Sequence, residues 1–246
     1  MNSFSYLEYK NIIEKLRINN EIKDFSEINN KTKQFLLIRH DVEFSPERAL
    51  QMAEYETNMM GINSSYFFQF RNSCYNICSY KNLKILERII NLGHKIGLHV
   101  HKNGNQFNSK KILKNYVISE INMFSKLIDC PIDRFSFHRP TNFELSSNIK
   151  IKKKINVYSN LYFHFFENKK ILKPKIKYYS DSLHFWNYGN PIIDKKKYLK
   201  IQILTHPYSW SIFGSKNTNN LKNLIQENKK IFTNDLSKEL KYFPKI

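Results

Sequence analysis

Cysteine, glycine and proline are scarce in this chain of 246 residues, which contains three cysteines, six glycines and seven prolines. Three thiols cannot all pair, and no C-x-x-C or C-x-x-H spacing is present, so a disulfide scaffold and a cysteine-rich zinc site are excluded. No apolar run approaches the length of about 18 residues that a membrane span needs. No basic segment precedes an apolar run as in a signal peptide, so we expect a cytoplasmic protein, with the inner membrane face as an alternative location.

Acidic residues are also few, since 21 Asp and Glu stand against 40 Lys and Arg and give a formal net charge of +19. This excess of positive charge suits a phosphate-bearing substrate or peripheral contact with an anionic membrane surface. No RNA- or DNA-binding motif accompanies it, so we expect no specific nucleic-acid partner. The sequence carries no signal for an oligomeric state.

A single domain over residues 1–246 is the simplest organisation, because no repeat, low-complexity tract or Pro/Gly/Ser-rich linker interrupts the chain. Short apolar runs alternate with segments of helical periodicity. The predicted strands are Phe35–Ile38, Ser64–Phe68, Lys95–His101, Arg134–Phe137, Ile155–Tyr158, Lys177–Ser180 and Lys200–Leu204. The predicted helices are Tyr6–Arg17, Ser45–Gly61, Asn82–Leu92, Lys110–Ile128 and Asn219–Leu240.

Alternating strands and helices imply parallel pairing through right-handed crossovers, which makes the fold class α/β. No G-x-G-x-x-G follows the first predicted strand, and this argues against a dinucleotide-binding sheet. With seven predicted strands, the sequence favours a distorted or partly open (β/α)7 barrel.

Titratable side chains collect at the carboxyl ends of the predicted strands, where the active sites of β/α barrels lie. They are Asp41, Glu43, His99, His101, His138, Arg139, Asp181 and His206. Because residues two apart on a strand share a face, Asp41 pairs with Glu43 and His99 with His101. Two carboxylates and two imidazoles that converge are good ligands for Zn²⁺ or another borderline divalent ion.

Five short motifs contain these residues, and in sequence and order they resemble the polysaccharide deacetylase family, carbohydrate esterase family 4. The motifs are LIRHDVE at Leu37–Glu43, GHKIGLH at Gly93–His99, FHRP at Phe137–Pro140, SDSLHFW at Ser180–Trp186 and ILTHP at Ile203–Pro207. They cover a core of about Phe35–Trp210. The resemblance is to a divergent bacterial branch, linked to capsule and lipopolysaccharide sugar pathways, that reads H-D-V-D where better-known members read F-D-D-G.

The resemblance implies a distorted barrel and the metal-assisted hydrolysis of an N-acetyl or O-acetyl group on a sugar. Carried over by position, Asp41 resembles the general base, Arg139 the residue that orients it, and His206 the general acid. Asp181 and Trp186 resemble parts of the wall near that acid, and His99 resembles a metal ligand.

Two positions depart from the family pattern, because Val42 replaces its metal-binding aspartate and Asn103 its second metal histidine. In one explanation the metal is held by a rearranged set, in which Glu43 and His101 join His99 on the correct strand faces. In the other, this branch has lost the metal and is a non-catalytic carbohydrate-binding protein. Asp41 and His138 are further candidates to contact the ion.

The sequence therefore predicts a metal-dependent carbohydrate deacetylase that acts on an acetylated sugar in cell-surface polysaccharide biosynthesis. The expected cofactor is Zn²⁺, with Co²⁺, Ni²⁺ or Mn²⁺ as alternatives. A nucleotide-linked sugar or a lipid-linked glycan would suit the positive charge. Candidates to stack on sugar rings are Tyr66, Phe68, Trp186 and Trp210.

Overall fold

The computed structural model describes residues 3–164, 174–194, 196–240 and 242. The strands are β1 (Phe35–Val42), β2 (Ser65–Phe68), β3 (Lys95–Val100), β4 (Arg134–Phe137), β5 (Ile155–Asn156), β6 (Lys177–Ser180) and β7 (Lys200–Thr205). The helices are α1 (Tyr6–Arg17), α2 (Pro46–Tyr55), α3 (Tyr80–Asn91), α4 (Lys110–Leu127), α5 (Asn142–Ser147) and α6 (Asn217–Glu239). The predicted elements are all present, and their ends differ from the predicted ones by a few residues.

All seven strands of the described residues form one parallel sheet in the order β5-β4-β3-β2-β1-β7-β6. The two outer strands, β5 and β6, do not pair with each other in this order, so the curled sheet remains open on one side. This arrangement confirms the predicted partly open (β/α)7 barrel. No helix among the described residues is both long and apolar enough to cross a membrane.

Local sequence signals set the beginning and end of α2. The side chain of Ser45 accepts a hydrogen bond from the backbone N–H of Arg48, and Pro46 occupies the first helical turn, where its missing N–H costs nothing. The helix continues into a π-helical turn, Glu56–Met60, and ends at Gly61, whose φ of 63° is left-handed. These signals bring the chain back to the sheet at β2.

Alternating residues of β1 belong to two different cores. Phe35 and Leu37 belong to the larger cluster inside the curled sheet, whereas Leu36 and Ile38 belong to a second cluster with Tyr9 of α1. The whole strand is buried, as expected for a central strand of a parallel sheet that is covered on both faces. Its polar residues therefore lie where water is largely excluded.

Gly97 of β3 occupies a position where the barrel interior has no room for a side chain. A Cβ atom built on it would lie 2.5 Å from the ring of Phe67 and 2.8 Å from the side chain of Arg134. Both neighbours are themselves fully buried, so neither can move aside freely. The glycine is required here by close packing rather than by backbone conformation.

We expect Gly97→Ala to lower the free energy of unfolding by about 1–3 kcal/mol, because overpacking forces side chains off their preferred rotamers. Urea denaturation measures this loss. Phe67→Leu removes ring atoms at the contact, so the double variant should be more stable than the sum of the two single losses implies. Strict additivity of the two losses would contradict the packing explanation.

A second buried feature is a carboxylate on the outer side of the sheet. Glu56 accepts hydrogen bonds from the hydroxyl groups of Tyr9 (2.5 Å), Ser64 (2.6 Å) and Tyr66 (2.7 Å), and Nε2 of His40 lies 3.0 Å from it. Burial alone would raise the pKa of Glu56, but the neighbouring His40 and the hydrogen-bond donors lower it to about 2. This network joins α1, α2, β1 and β2 behind the sheet.

We expect this carboxylate to contribute to stability above its ordinary pKa of 4.5 and to lose that contribution as the pH falls towards 2. The shift corresponds to about 3 kcal/mol at neutral pH. Glu56→Gln should therefore be less stable than the wild type at pH 7, and the difference should narrow between pH 5 and pH 3 in urea denaturation. Glu14→Gln is the matched control, since Glu14 lies exposed on α1. A stability difference between the wild type and Glu56→Gln that does not change with pH would contradict the lowered pKa of Glu56.

Candidate active site

Five of the eight polar residues predicted at strand ends border one cavity at the carboxyl edge of the sheet. Its volume is about 510 Å³, and its lining includes Asp41, Glu43, His99, Arg139 and His206. Aromatic side chains form much of the remaining wall, among them Tyr158, Tyr178, Tyr188 and Tyr208. The cavity thus combines charged groups at its base with apolar ring faces around them.

Asp41 forms a buried, bidentate ion pair with Arg39 on the same strand. Nε of Arg39 donates to Oδ1 at 2.9 Å and Nη2 donates to Oδ2 at 2.6 Å. Burial by itself would raise the pKa of Asp41, but the positive charge of Arg39 and the hydrogen bonds that Arg39 donates hold it below its ordinary value. Asp41 is therefore an ionised carboxylate at neutral pH, held in a fixed orientation.

Arg39, and not Arg139, is the arginine that contacts Asp41. Arg139 lies at the edge of the cavity, beyond the end of β4, and no contact between it and Asp41 occurs within the described residues. Arg39 and Asp41 are two apart on β1 and therefore share a face. The arginine that bonds to Asp41 therefore comes from its own strand, and the predicted role of Arg139 stays a prediction.

Glu43, His99 and His138 form a cluster in which one ligand atom of each residue lies within 4.8 Å of the others. Nδ1 of His138 lies 2.8 Å from Oε1 of Glu43, and Nε2 of His99 lies 3.6 Å from the same oxygen. Burial would raise the pKa of Glu43, but the two imidazoles beside it hold the pKa far below its usual range. His99 lies in β3, whereas Glu43 and His138 directly follow β1 and β4.

Ser136 determines which nitrogen of His99 faces this cluster. It is the register partner of His99 across β3 and β4, and its Oγ lies 2.7 Å from Nδ1 of His99 and 3.4 Å from Oδ1 of Asp41. The ionised Asp41 can only accept, so Ser136 donates to it and accepts from the Nδ1–H of His99. This network assigns the lone pair of the neutral imidazole to Nε2, on the side of Glu43.

The cluster fits a divalent metal ion. The buried Nε2 of His99 and Nδ1 of His138 have no hydrogen-bond partner within the described residues, so the close approach of His138 to Glu43 is not a directed hydrogen bond. Orphaned buried nitrogens beside a carboxylate are costly unless a further group binds them. Two imidazoles and one carboxylate are also a ligand set of catalytic zinc sites, which keep a position open for water or substrate.

His138, and not His101, is the third member of the cluster. β3 ends at Val100, so His101 lies beyond the last residue for which strand alternation holds. Its Nδ1 accepts a hydrogen bond from the backbone N–H of Asn103 at 3.0 Å, and its ring stacks on His138 with 4.9 Å between centroids. The cluster thus contains Glu43 and His99 of the predicted ligand set, and it has His138 where the sequence analysis placed His101.

His206 and Asp181 form a second charged pair across the cavity. Nδ1 of His206 lies 2.6 Å from Oδ1 of Asp181, and Nε2 lies 3.9 Å from Glu43. Burial would lower the pKa of His206, but the carboxylates of Asp181, Glu43 and Asp41 raise it to about 9. His206 is therefore protonated at neutral pH, with Nδ1–H donating to Asp181.

The two tryptophans predicted to stack on sugar rings lie in the protein core. Trp186 and Trp210 are buried and neither lines the cavity. Trp210 instead donates its indole N–H to Oδ2 of Asp181 at 2.7 Å, which helps to hold the partner of His206. Tyr66 and Phe68 are likewise fully buried, and none of the four side chains predicted to contact a sugar lines the cavity.

Sequence reasoning missed two residues of this arrangement, Arg39 and Ser136. Arg39 could have been found, because the alternation that paired Asp41 with Glu43 also pairs Asp41 with Arg39. Ser136 needed the register of β4 against β3, which no sequence pattern gave. His138 was noted as a candidate ligand, but the position of the β3 end decided between it and His101.

No family profile and no curated protein matches the sequence. Several solved structures are similar to the chain. A CE4 family pseudoenzyme from Bacillus anthracis has a TM-score of 0.40 at 13% identity, with 82% of this chain and 62% of that chain covered. The chain thus spans less than two thirds of the length of that protein.

Two further structures cover more of their own chains. A family 4 carbohydrate esterase from Bacillus anthracis has a TM-score of 0.42 at 13% identity, with 90% of this chain and 85% of that chain covered. A variant of a peptidoglycan deacetylase from Bacillus subtilis has a TM-score of 0.44 at 10% identity, with 86% and 97% covered. Carbohydrate esterase family 4, which the five sequence motifs resemble, is the family named for the pseudoenzyme and the esterase.

Proposed function

We propose that this protein is a metal-dependent hydrolase that removes the acetyl group from an N-acetylated sugar of a cell-surface glycan precursor. The observation that carries the proposal is the convergence of three features on one cavity. They are an ionised carboxylate at Asp41, an imidazolium at His206, and a ligand cluster with two orphaned imidazole nitrogens. Opposite protonation states of two neighbouring groups are what acid and base catalysis at one site requires.

Glu43, His99 and His138 would hold the metal ion. When bound, a divalent ion supplies a Lewis acid that polarises the acetyl carbonyl and makes water more acidic. Asp41 accepts the proton of the attacking water, and Arg39 keeps that carboxylate charged and aligned. Arg39 also makes Asp41 a weaker base, because it lowers the pKa of the carboxyl group. A water that is more acidic would give up its proton to such a base more easily.

His206 acts as the general acid. An amide needs such an acid, because an unprotonated amine is a poor leaving group, and the imidazolium at His206 supplies the proton from Nε2. Asp181 accepts from Nδ1–H and keeps the ring in the orientation that directs Nε2 at the cavity. The tyrosines of the wall provide ring faces for a sugar.

We expect purified protein to retain about one divalent ion per chain after incubation with Zn²⁺ and desalting, as measured by elemental mass spectrometry. His99→Ala and His138→Ala should lose it, whereas His101→Ala should keep it. Chelation of the wild type should lower its melting temperature, because a ligand that binds only the folded state stabilises that state. Loss in His101→Ala with retention in His138→Ala would contradict the cluster.

We expect Asp41→Asn and His206→Ala each to lower acetate release from N-acetylglucosamine oligosaccharides by about 100- to 10,000-fold. On 4-nitrophenyl acetate, whose leaving group needs no proton, Asp41→Asn should remain impaired while His206→Ala retains most activity. Circular dichroism and melting curves of both variants control for misfolding.

A non-catalytic carbohydrate-binding protein is the alternative, motivated by Val42 and Asn103 at two family metal positions. It would bind N-acetylated oligosaccharides without releasing acetate, and neither Asp41→Asn nor His206→Ala would change that binding. This combination of results would overturn the proposed hydrolase.

A further inference from the structure

Arg139 is a cation at the edge of the cavity that has no hydrogen-bond or ion-pair partner among the described residues. It follows β4, lines the cavity and is exposed. It takes part in no hydrogen bond or ion pair within the described part of the chain. Since Arg39 already orients Asp41, Arg139 is not needed for that task.

The carboxylates of the site already have partners within it. Asp41 pairs with Arg39, and Asp181 pairs with His206. Glu43 lies against two imidazoles and belongs to the metal-binding cluster. The cavity therefore presents no free carboxylate to Arg139, and a bound divalent ion would make its surroundings more positive still.

The backbone around Arg139 is firmly held. Arg139 has a left-handed φ of 45°, which a residue with a side chain rarely adopts and which tends to occur at functional sites. Pro140 follows, and the capping box of α5 comes next, in which the buried Glu144 accepts from the backbone N–H of Thr141 at 2.6 Å. Lys102 lies close to this segment, but it is paired with Glu144 at 3.3 Å. Lys102 therefore has a partner, whereas the Arg139 guanidinium has none among the described residues. The segment that carries Arg139 leads directly into the capped helix α5.

We infer that Arg139 binds an anionic group of the substrate, so that the acetylated sugar carries a phosphate or a carboxylate beside the sugar ring in the cavity. A guanidinium presents a planar fork of donors that matches either group in a bidentate manner. The inference rests on the proposed function and narrows its substrate class to acidic or phosphorylated acetyl sugars. A neutral acetylated oligosaccharide would leave the guanidinium without a partner.

The test compares acetate release from four substrates: N-acetylglucosamine, N-acetylglucosamine 1-phosphate, UDP-N-acetylglucosamine and an N-acetylated aminouronic acid. In Arg139→Gln, the ratio of kcat/KM for a charged substrate to that for the neutral sugar should fall by about 10- to 100-fold, mainly through KM. Arg139→Lys should recover part of this preference, because it restores the charge without the fork. Arg17→Gln, at an exposed arginine on α1, should keep the wild-type ratio.

The substrates also separate the two sources of the anion. A preference for the phosphorylated sugars supports a phosphate ligand, and a preference for the aminouronic acid supports a carboxylate. Equal turnover of charged and neutral sugars, with the same ratio in Arg139→Gln, would overturn the inference and leave the proposed hydrolase intact.

Calorimetric binding of the same four sugars keeps the inference testable if no substrate is hydrolysed. Binding of a charged sugar that weakens by about 10-fold or more in Arg139→Gln, without acetate release, would support the anion site and overturn the hydrolase. Binding that shows no dependence on Arg139 would overturn the inference.

Discussion

The buried ion pair between Arg39 and Asp41 is the interaction on which the interior of this barrel depends. Removing two charges from water costs several kcal/mol per ion, so the pair is tolerated only with good geometry and further hydrogen bonds. Nη2 of Arg39 also donates to the hydroxyl of Tyr158 at 2.8 Å, and Nη1 donates to Oε1 of Gln202 at 3.3 Å. The guanidinium lies over the rings of Tyr158 and Phe67 as well. A single cation thereby connects β1 to β2, to β7 and to the segment after β5.

The ion pair between Arg39 and Asp41 is one of two charged pairs that the described residues place at the cavity, and the other joins His206 to Asp181. Close to Arg39, a carboxylate stays ionised; close to Asp181, an imidazole stays protonated. Each group is charged because its counterion lies beside it in a region with little water, where electrostatic interactions are strong. Acid and base can therefore coexist within one cavity of about 510 Å³ without neutralising each other.

Most of the fold could be predicted because its signals are local. Helical periodicity gave α1, and apolar runs gave β4 and β6, with the bounds seen in the structure. Asp41, Glu43, His99, Asp181 and His206 were found in the same way, since strand ends in a parallel barrel share one edge.

The remaining features depend on distances between strands or on where a strand stops. Strand alternation suggested His101 as a ligand, but the chain turns through the left-handed Asn103 soon after β3, and Nδ1 of His101 bonds to the backbone of that residue instead. The role of Arg139 was carried over from a family pattern, which cannot show that Arg39 already occupies the place beside Asp41. The two tryptophans were judged by residue type, and their burial depends on the packing of α1 and the segments around them.

A carboxylate and its counterion that are encoded only two codons apart are inherited as a unit. Mutation in the connecting loops, or recombination between distant parts of the gene, leaves Arg39 and Asp41 together on β1. The loop after β4 does not hold the carboxylate of Asp41, so its sequence can change while the ion pair is kept. In such a lineage, changes in ligand preference would accumulate at the rim of the barrel while the reaction centre stayed constant.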